Sequence, residues 1–330
     1  MDVSMILPLT KASFNPGEAE KTIESFRNED IKNIAKAELF YYRGKAQECS
    51  DIARQYLTCD KVELTLSASI LYTFANMTLK KNEEAEKGLN LIRDFSGRKN
   101  ETSNEDQAIC IFAKCISTIL LHLDVEDRLE EKESIFNLPY ELRICAAYIA
   151  AHRLYLEEDY SQALGISLSA IMFSEETKPI IMIYLYCMIA ICYINLKNLD
   201  EAKRALLIAW DMAKKDELIE PFIEHHGLLQ GLMEVCVKKE DPSRYKEFTD
   251  AVITFSRGWA NVHNNLSEKQ IGNTLSTMEF SIAMLASRNW SNQEIGSYLG
   301  ISLNTVKHYL SSIYEKLGIN KRSELRQFIL

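Results

Sequence analysis

Apolar positions along this chain recur every three to four residues, and strict alternation is nearly absent. Leu199, Ala202, Leu206, Ala209, Trp210 and Ala213 hold the ~3.6-residue helical period. Lys214 and Lys215 follow them, at the end where the helix dipole favours cations. Proline and glycine are scarce, 6 and 12 in 330 residues, so little interrupts such helices. The pattern predicts an all-α chain. One run, residues 180–194, carries no charged side chain. It falls short of the ~18 apolar residues of a membrane span and flows into an amphipathic helix, so it reads as a helix buried among neighbours.

The helices repeat. Leu196-Lys197-Asn198-Leu199-Asp200-Glu201-Ala202 matches Leu79-Lys80-Lys81-Asn82-Glu83-Glu84-Ala85. Asp159-Tyr160-Ser161-Gln162-Ala163 is a third copy, and Arg43-Gly44-Lys45-Ala46-Gln47-Glu48-Cys49 a weaker fourth. Each joins an aromatic-rich helix to a second helix through a short polar turn. A small residue early in the second helix lets an antiparallel pair approach closely. The spacing from Ala163 to Ala202 exceeds the ~34 residues of a tetratricopeptide unit, and a middle unit would include residues 105–123. A lone hairpin cannot bury its apolar face, so the hairpins are expected to stack into a solenoid. The array resembles a degenerate tetratricopeptide (TPR) array. Residues 124–133 read as a charged loop or helix end, Pro139-Tyr140 restarts the array, and Pro221 starts another helix. The last array helix is expected over 243–257. Polar residues 258–273, with Asn264-Asn265, read as a linker. The expected domains are thus 1–257 and 274–330.

The last segment carries the sharpest local signals. Ser276-Thr277-Met278-Glu279 and Ser291-Asn292-Gln293-Glu294 are capping boxes, so helices should start near Thr277 and Asn292. The first should stop at Arg288-Asn289 and the second at Gly300, residues that tolerate a left-handed backbone. Ser302 can cap a third helix running to Leu317, before Gly318, and a fourth is expected over 321–330. A short helix, a tight turn and a longer helix make a helix-turn-helix, locked by Ile295, Leu299, Ile301, Val306, Leu310 and Ile313. Asn304, Lys307, His308 and Ser311 are left on the outer side of the third helix, the geometry that enters a DNA major groove.

This segment resembles the LuxR/GerE type of DNA-binding domain, also found in FixJ–NarL regulators. The resemblance is carried by Leu275-Ser276, Glu279, Ser291 to Ile295, Leu299, Ile301-Ser302, Thr305-Val306-Lys307, Ile313, Lys316-Leu317 and Arg322. It implies base-facing positions for Lys307, His308 and Ser311, phosphate-facing ones for Thr305, Lys316 and Arg322, and a dimerising fourth helix using Leu325 and Phe328. Asn289 stands where the family usually has Gly, and Tyr309 where it usually has His. With a TPR-like array in front, the whole resembles the MalT-like regulators, without their ATP-binding phosphate loop.

Charge and cysteine content sharpen this. Between Leu275 and Leu330 three Lys and three Arg face four Glu, a net of +2, so the rest carries −11 of the overall −9. Attraction to DNA is thereby confined to the C-terminal domain. This contrast leaves two readings open: the array masks the third helix by attraction to Lys307, Lys316 and Arg322, or a flexible tether joins the two without masking, the simpler of the two. The eight cysteines form no Cys-x-x-Cys pair and read as buried thiols in a reducing cytoplasm. The apolar start, residues 1–8, has no basic flank and is not a signal peptide. His225-His226 point apart on a helix, so no metal is expected. No cofactor motif or catalytic constellation stands out, and an enzyme is not expected. The tyrosines Tyr148, Tyr155, Tyr184, Tyr186 and Tyr193 should mostly pack between helices. The expected function is a cytoplasmic transcriptional regulator binding double-stranded DNA as a homodimer, its array sensing a protein, peptide or small-molecule effector. The alternative is a TPR-type scaffold whose C-terminal domain docks protein or dimerises.

Overall fold

A computed structural model of the chain describes residues 6–96, 103–120, 132–264 and 275–326. Among them the regular structure is helical, with no strand. After a short helix α1 (Ala19–Ser25) come two hairpins, α2 (Glu29–Tyr42) with α3 (Ala46–Ala53) and α4 (Val62–Thr78) with α5 (Asn82–Ser96). Helix α6 (Asn104–Leu120) and α7 (Lys132–Asn137) follow, then α8 (Arg143–Leu156) with α9 (Tyr160–Met172) and α10 (Pro179–Asn195) with α11 (Leu199–Ala213). Three short helices, α12 (Glu220–Glu224), α13 (His226–Leu229) and α14 (Leu232–Glu240), lead into α15 (Pro242–Asn264).

The four repeats are the four hairpin turns. Gly44, Lys80, Glu158 and Lys197 occupy one position in each, with φ of 71°, 59°, 63° and 59°. In each, the next backbone N–H donates to a carbonyl five residues back: Lys45 to Phe40, Lys81 to Asn76, Asp159 to Leu154 and Asn198 to Tyr193. This is the Schellman closure, which satisfies carbonyls that a helix end leaves open. Cys49, Ala85, Ala163 and Ala202 sit five residues past the left-handed residue, and all four are buried. Their small side chains bring the second helix onto the first.

Helix α10 explains the uncharged run. It packs against α8, α9, α11, α12 and α13, so nearly all its circumference is buried. Pro179 starts it, where a missing N–H costs nothing. No helix of the described residues is long and apolar enough to cross a membrane. The first described residues are also core. Ile6, Leu7 and Leu9 are buried, and the Leu7 N–H donates to Ser67 Oγ at 2.9 Å. Helix α15 returns to pack on α4 and α5. It continues to Asn264 rather than ending at residue 257, so the first part of the expected linker is helical. Residues 265–273 lie outside the described residues.

The interior holds a polar network between hairpins. Tyr41 and Tyr184 both donate to the Glu224 carboxylate, Tyr184 at 2.7 Å. Tyr148 Oη lies 2.9 Å from His225 Nε2 and 3.0 Å from His152 Nδ1. Burial pushes Glu224 up to about 7 and His225 down to about 4. Tyr148, Tyr155 and Tyr184 therefore pack inside, while Tyr186 and Tyr193 are half-buried.

Candidate nucleic-acid interface

Three helices follow the array: α16 (Thr277–Ser287), α17 (Asn292–Leu299) and α18 (Leu303–Leu317). Their ends fall where local chemistry puts them. Ser276 and Ser291 form complete capping boxes with Glu279 and Glu294. Ser302 accepts the Thr305 N–H at 3.1 Å. Asn289, Gly300 and Gly318 all have left-handed backbones, at φ of 62°, 68° and 65°. Asn289 thus takes the conformation that glycine would supply. Ile295, Val306, Leu310 and Ile313 are buried between the helices, and Leu299 and Ile301 pack against them half-buried.

This packing fixes what α18 shows to solvent. Asn304, Thr305, Lys307, His308 and Ser311 are all exposed. Asn304, Lys307, His308 and Ser311 follow the i, i+3, i+4, i+7 spacing of a single helix face. The Ser311 hydroxyl donates back to the Lys307 carbonyl at 3.1 Å, and Thr305 Oγ1 lies 2.8 Å from Ser302 Oγ. The early turns of α18 thus offer one cation, an imidazole and several short polar groups on an open convex surface, suited to a groove of DNA.

Two expected phosphate contacts have other partners. Lys316 Nζ is 2.7 and 2.8 Å from the Glu279 carboxylate, which also accepts from Ser312 Oγ and the Ser276 N–H. Desolvation alone would raise Glu279, but these donors outweigh it and hold it at about 2. Arg322, in a 3-10 turn (Arg322–Glu324), reaches the Ala286 carbonyl at 3.1 Å, Asn292 Oδ1 at 2.9 Å and the Trp290 carbonyl. It closes the C-terminal end of α16, where carbonyls lack helical partners. Both side chains thus hold partners within the domain, and Lys316 itself stays exposed. Leu325, expected at a dimer contact, is fully buried within the chain. Phe328 and most of the expected fourth helix lie outside the described residues.

Residues 273–329 match the family model of bacterial regulatory proteins, luxR family. This segment is a LuxR-type helix-turn-helix domain. Over 126 residues the chain is 26% identical to the probable transcriptional regulatory protein SgaR of Hyphomicrobium methylovorum, covering 37% of this chain and 56% of that protein. The match thus spans about half of that curated relative. No solved structure matches the chain.

The LuxR-type domain does not stand apart from the array. Helix α16 packs on α13, and α17 on α14. Gly231, at φ 86°, faces Leu299, and a Cβ there would lie 2.6 Å from Leu299 Cδ2. Arg288, just past α16, donates to Tyr155 Oη at 2.6 Å and to Asn195 Oδ1, and stacks over the Tyr155 ring. Lys197 pairs with Glu294 at 2.8 Å and lies over Trp290, while Arg326 pairs with Glu158 at 2.5 Å. Lys197 and Glu158 are the left-handed turn residues of two hairpins, so the hairpin tips hold the domain. Neither the mask nor the free tether matches these contacts: α16 and α17 meet the array, and the Lys307 face stays open. Neighbouring-residue reasoning could not find Arg288, because its partners lie 93 and 133 residues away. Among the described residues no group of three His, Cys, Asp or Glu is placed to hold a metal ion.

Proposed function

We propose that this chain is a DNA-binding transcriptional regulator. In this reading α18 enters the major groove, with Lys307, His308, Ser311 and Asn304 towards base edges and Thr305 near the backbone. The observation that carries it is the open face of α18, in a LuxR-type domain whose other two helices are occupied by the array. The chain acts as a homodimer on paired half-sites, and the helical array receives a protein, peptide or small-molecule effector. A contact between array and domain gives an effector a route to the DNA-binding unit. The relative's name as a probable transcriptional regulatory protein points the same way.

The test is selection of bound duplexes from a random-sequence pool by the full chain, followed by affinity measurements over a salt series. Enrichment of a common motif is expected, with log K falling linearly as log salt rises. Failure to enrich any motif, together with salt-insensitive binding, would reject the reading.

A further inference from the structure

Helix α9 is unlike the second helices of the other three hairpins. Its counterparts α3, α5 and α11 turn charged residues outwards, such as Glu48, Glu86 and Arg204. Residues 160–174 contain no charged residue. The inner side of α9 meets α8 and α10 through Ala163 and Ser167, which are fully buried. The outer side exposes Gly165, Leu168, Ser169, Met172 and Phe173, at i, i+3, i+4, i+7 and i+8. Met172 is 71% and Phe173 75% exposed, high for large apolar side chains. Gly165 is the second observation. It lies mid-helix, where glycine is unfavourable, yet a Cβ there would meet nothing within 4 Å. No neighbour among the described residues requires that glycine. A helix approaching from outside would.

We infer that two copies of this chain pair through α9, antiparallel, with Gly165 and Ser169 allowing the two helices to approach closely. A second copy fits because a face without charge of either sign meets itself without like-charge repulsion. Spacing argues for the same occupant. Arg288 and Arg326 hold the DNA-binding domain near Tyr160 and Glu158, at the opposite end of α9 from Met172. From Tyr160 to the middle of the apolar stripe is roughly 14 Å at ~1.5 Å per residue. A two-fold axis there sets the outer ends roughly 30 Å apart, close to the ~34 Å between half-sites one DNA turn apart. Leu325, expected at a dimer contact, is buried within its own chain, whereas the α9 face is open. The spacing argument rests on the DNA-binding reading; the pairing does not.

One helix face is small beside the ~800 Å² per partner of a standard interface, so pairing in the micromolar range is expected. The full chain is examined by sedimentation without DNA across roughly 1–100 µM, beside Gly165→Leu and Met172→Glu. Both substituted positions are exposed, and Gly165→Leu raises helix propensity, so circular dichroism and Tm should show both variants folded. The expected result is a wild-type dimer and at least about tenfold weaker association in both variants, a change of ~1.4 kcal/mol or more. A wild-type chain that stays monomeric, or a dimer that either variant leaves intact, overturns the proposal. Pairing through α9 without DNA binding would leave the interface standing and reject the regulator reading. DNA binding by a chain that never pairs would do the reverse.

Discussion

Lys307, open on α18, and Arg322, hydrogen-bonded within the LuxR-type domain, should behave differently when removed. Lys307 has an open side chain on α18, so Lys307→Ala should cost ~1–3 kcal/mol at its preferred site with little effect on Tm. Arg322→Ala should do the opposite, because it strips two backbone carbonyls and Asn292 of their donor. Charged hydrogen bonds contribute about 1.5–3 kcal/mol each, so the loss should appear in denaturant unfolding while the salt slope of DNA binding stays unchanged. A flattened salt slope in Arg322→Ala would restore it as a phosphate contact. Glu224 gives a separate prediction. Its folded pKa of about 7 lies above the ordinary carboxylate value, so its protonated form is favoured by folding. Stability from this group is fully present below about pH 4 and is lost as pH rises through 7. Glu224→Gln should therefore gain stability relative to wild type as pH rises from about 4.5 to 7. Any hydrogen bond the amide fails to make is a pH-independent offset. His225, held down near 4, contributes the opposite slope below about pH 6.5. It is present in both proteins and cancels in the difference. Parallel stability profiles would contradict the raised Glu224.

Elements were legible where their ends are written in neighbouring residues. The caps Ser276, Ser291 and Ser302 and the stops Asn289, Gly300 and Gly318 each act within one turn, and all were readable before any packing was known. The hairpin turns around Lys80 and Lys197 were readable for the same reason. The end of α15 was not: the polar stretch after Arg257 suggested a linker, yet the helix runs on to Asn264. Polarity marks exposure, and an exposed helix is as polar as a loop. The partners of Arg322 and Lys316 were hidden because they depend on how α16 and α18 cross. The repeated turn also supports a prediction. Lys80 holds φ of 59° with a side chain, at a position where only glycine is unstrained. Left-handed backbone costs about 1–2 kcal/mol for an L-residue, and glycine's extra unfolded-state entropy returns about half of that. Lys80→Gly should raise the unfolding midpoint, by about 0.5–1 kcal/mol in stability. A loss would mean that the Lys80 stem contributes more packing than the backbone strain removes.

At the scale of the whole molecule, the charge contrast between array and domain left masking open, and the contact surface points elsewhere. Exposed attraction is weak beyond a Debye length of ~8 Å, so charge alone does not decide which face docks. Apolar fit decides it: α16 and α17 lie on α13 and α14, with Leu299 beside Gly231. Arg288 fixes the orientation through Tyr155 and Asn195. The array therefore leaves the outer face of α18 uncovered. Arg288→Ala separates the two ideas. If docking masked the domain, loosening it would tighten binding to a single half-site. If docking aims the domain, a single half-site should bind unchanged, within about twofold, while an operator of two half-sites binds more weakly. The second outcome follows because a loosely held domain must be ordered on the second half-site, and avidity falls as that ordering cost rises. Affinities of the full-length variant for one-site and two-site duplexes at matched salt provide the measurement. Tighter one-site binding by Arg288→Ala would return the array to the role of a mask.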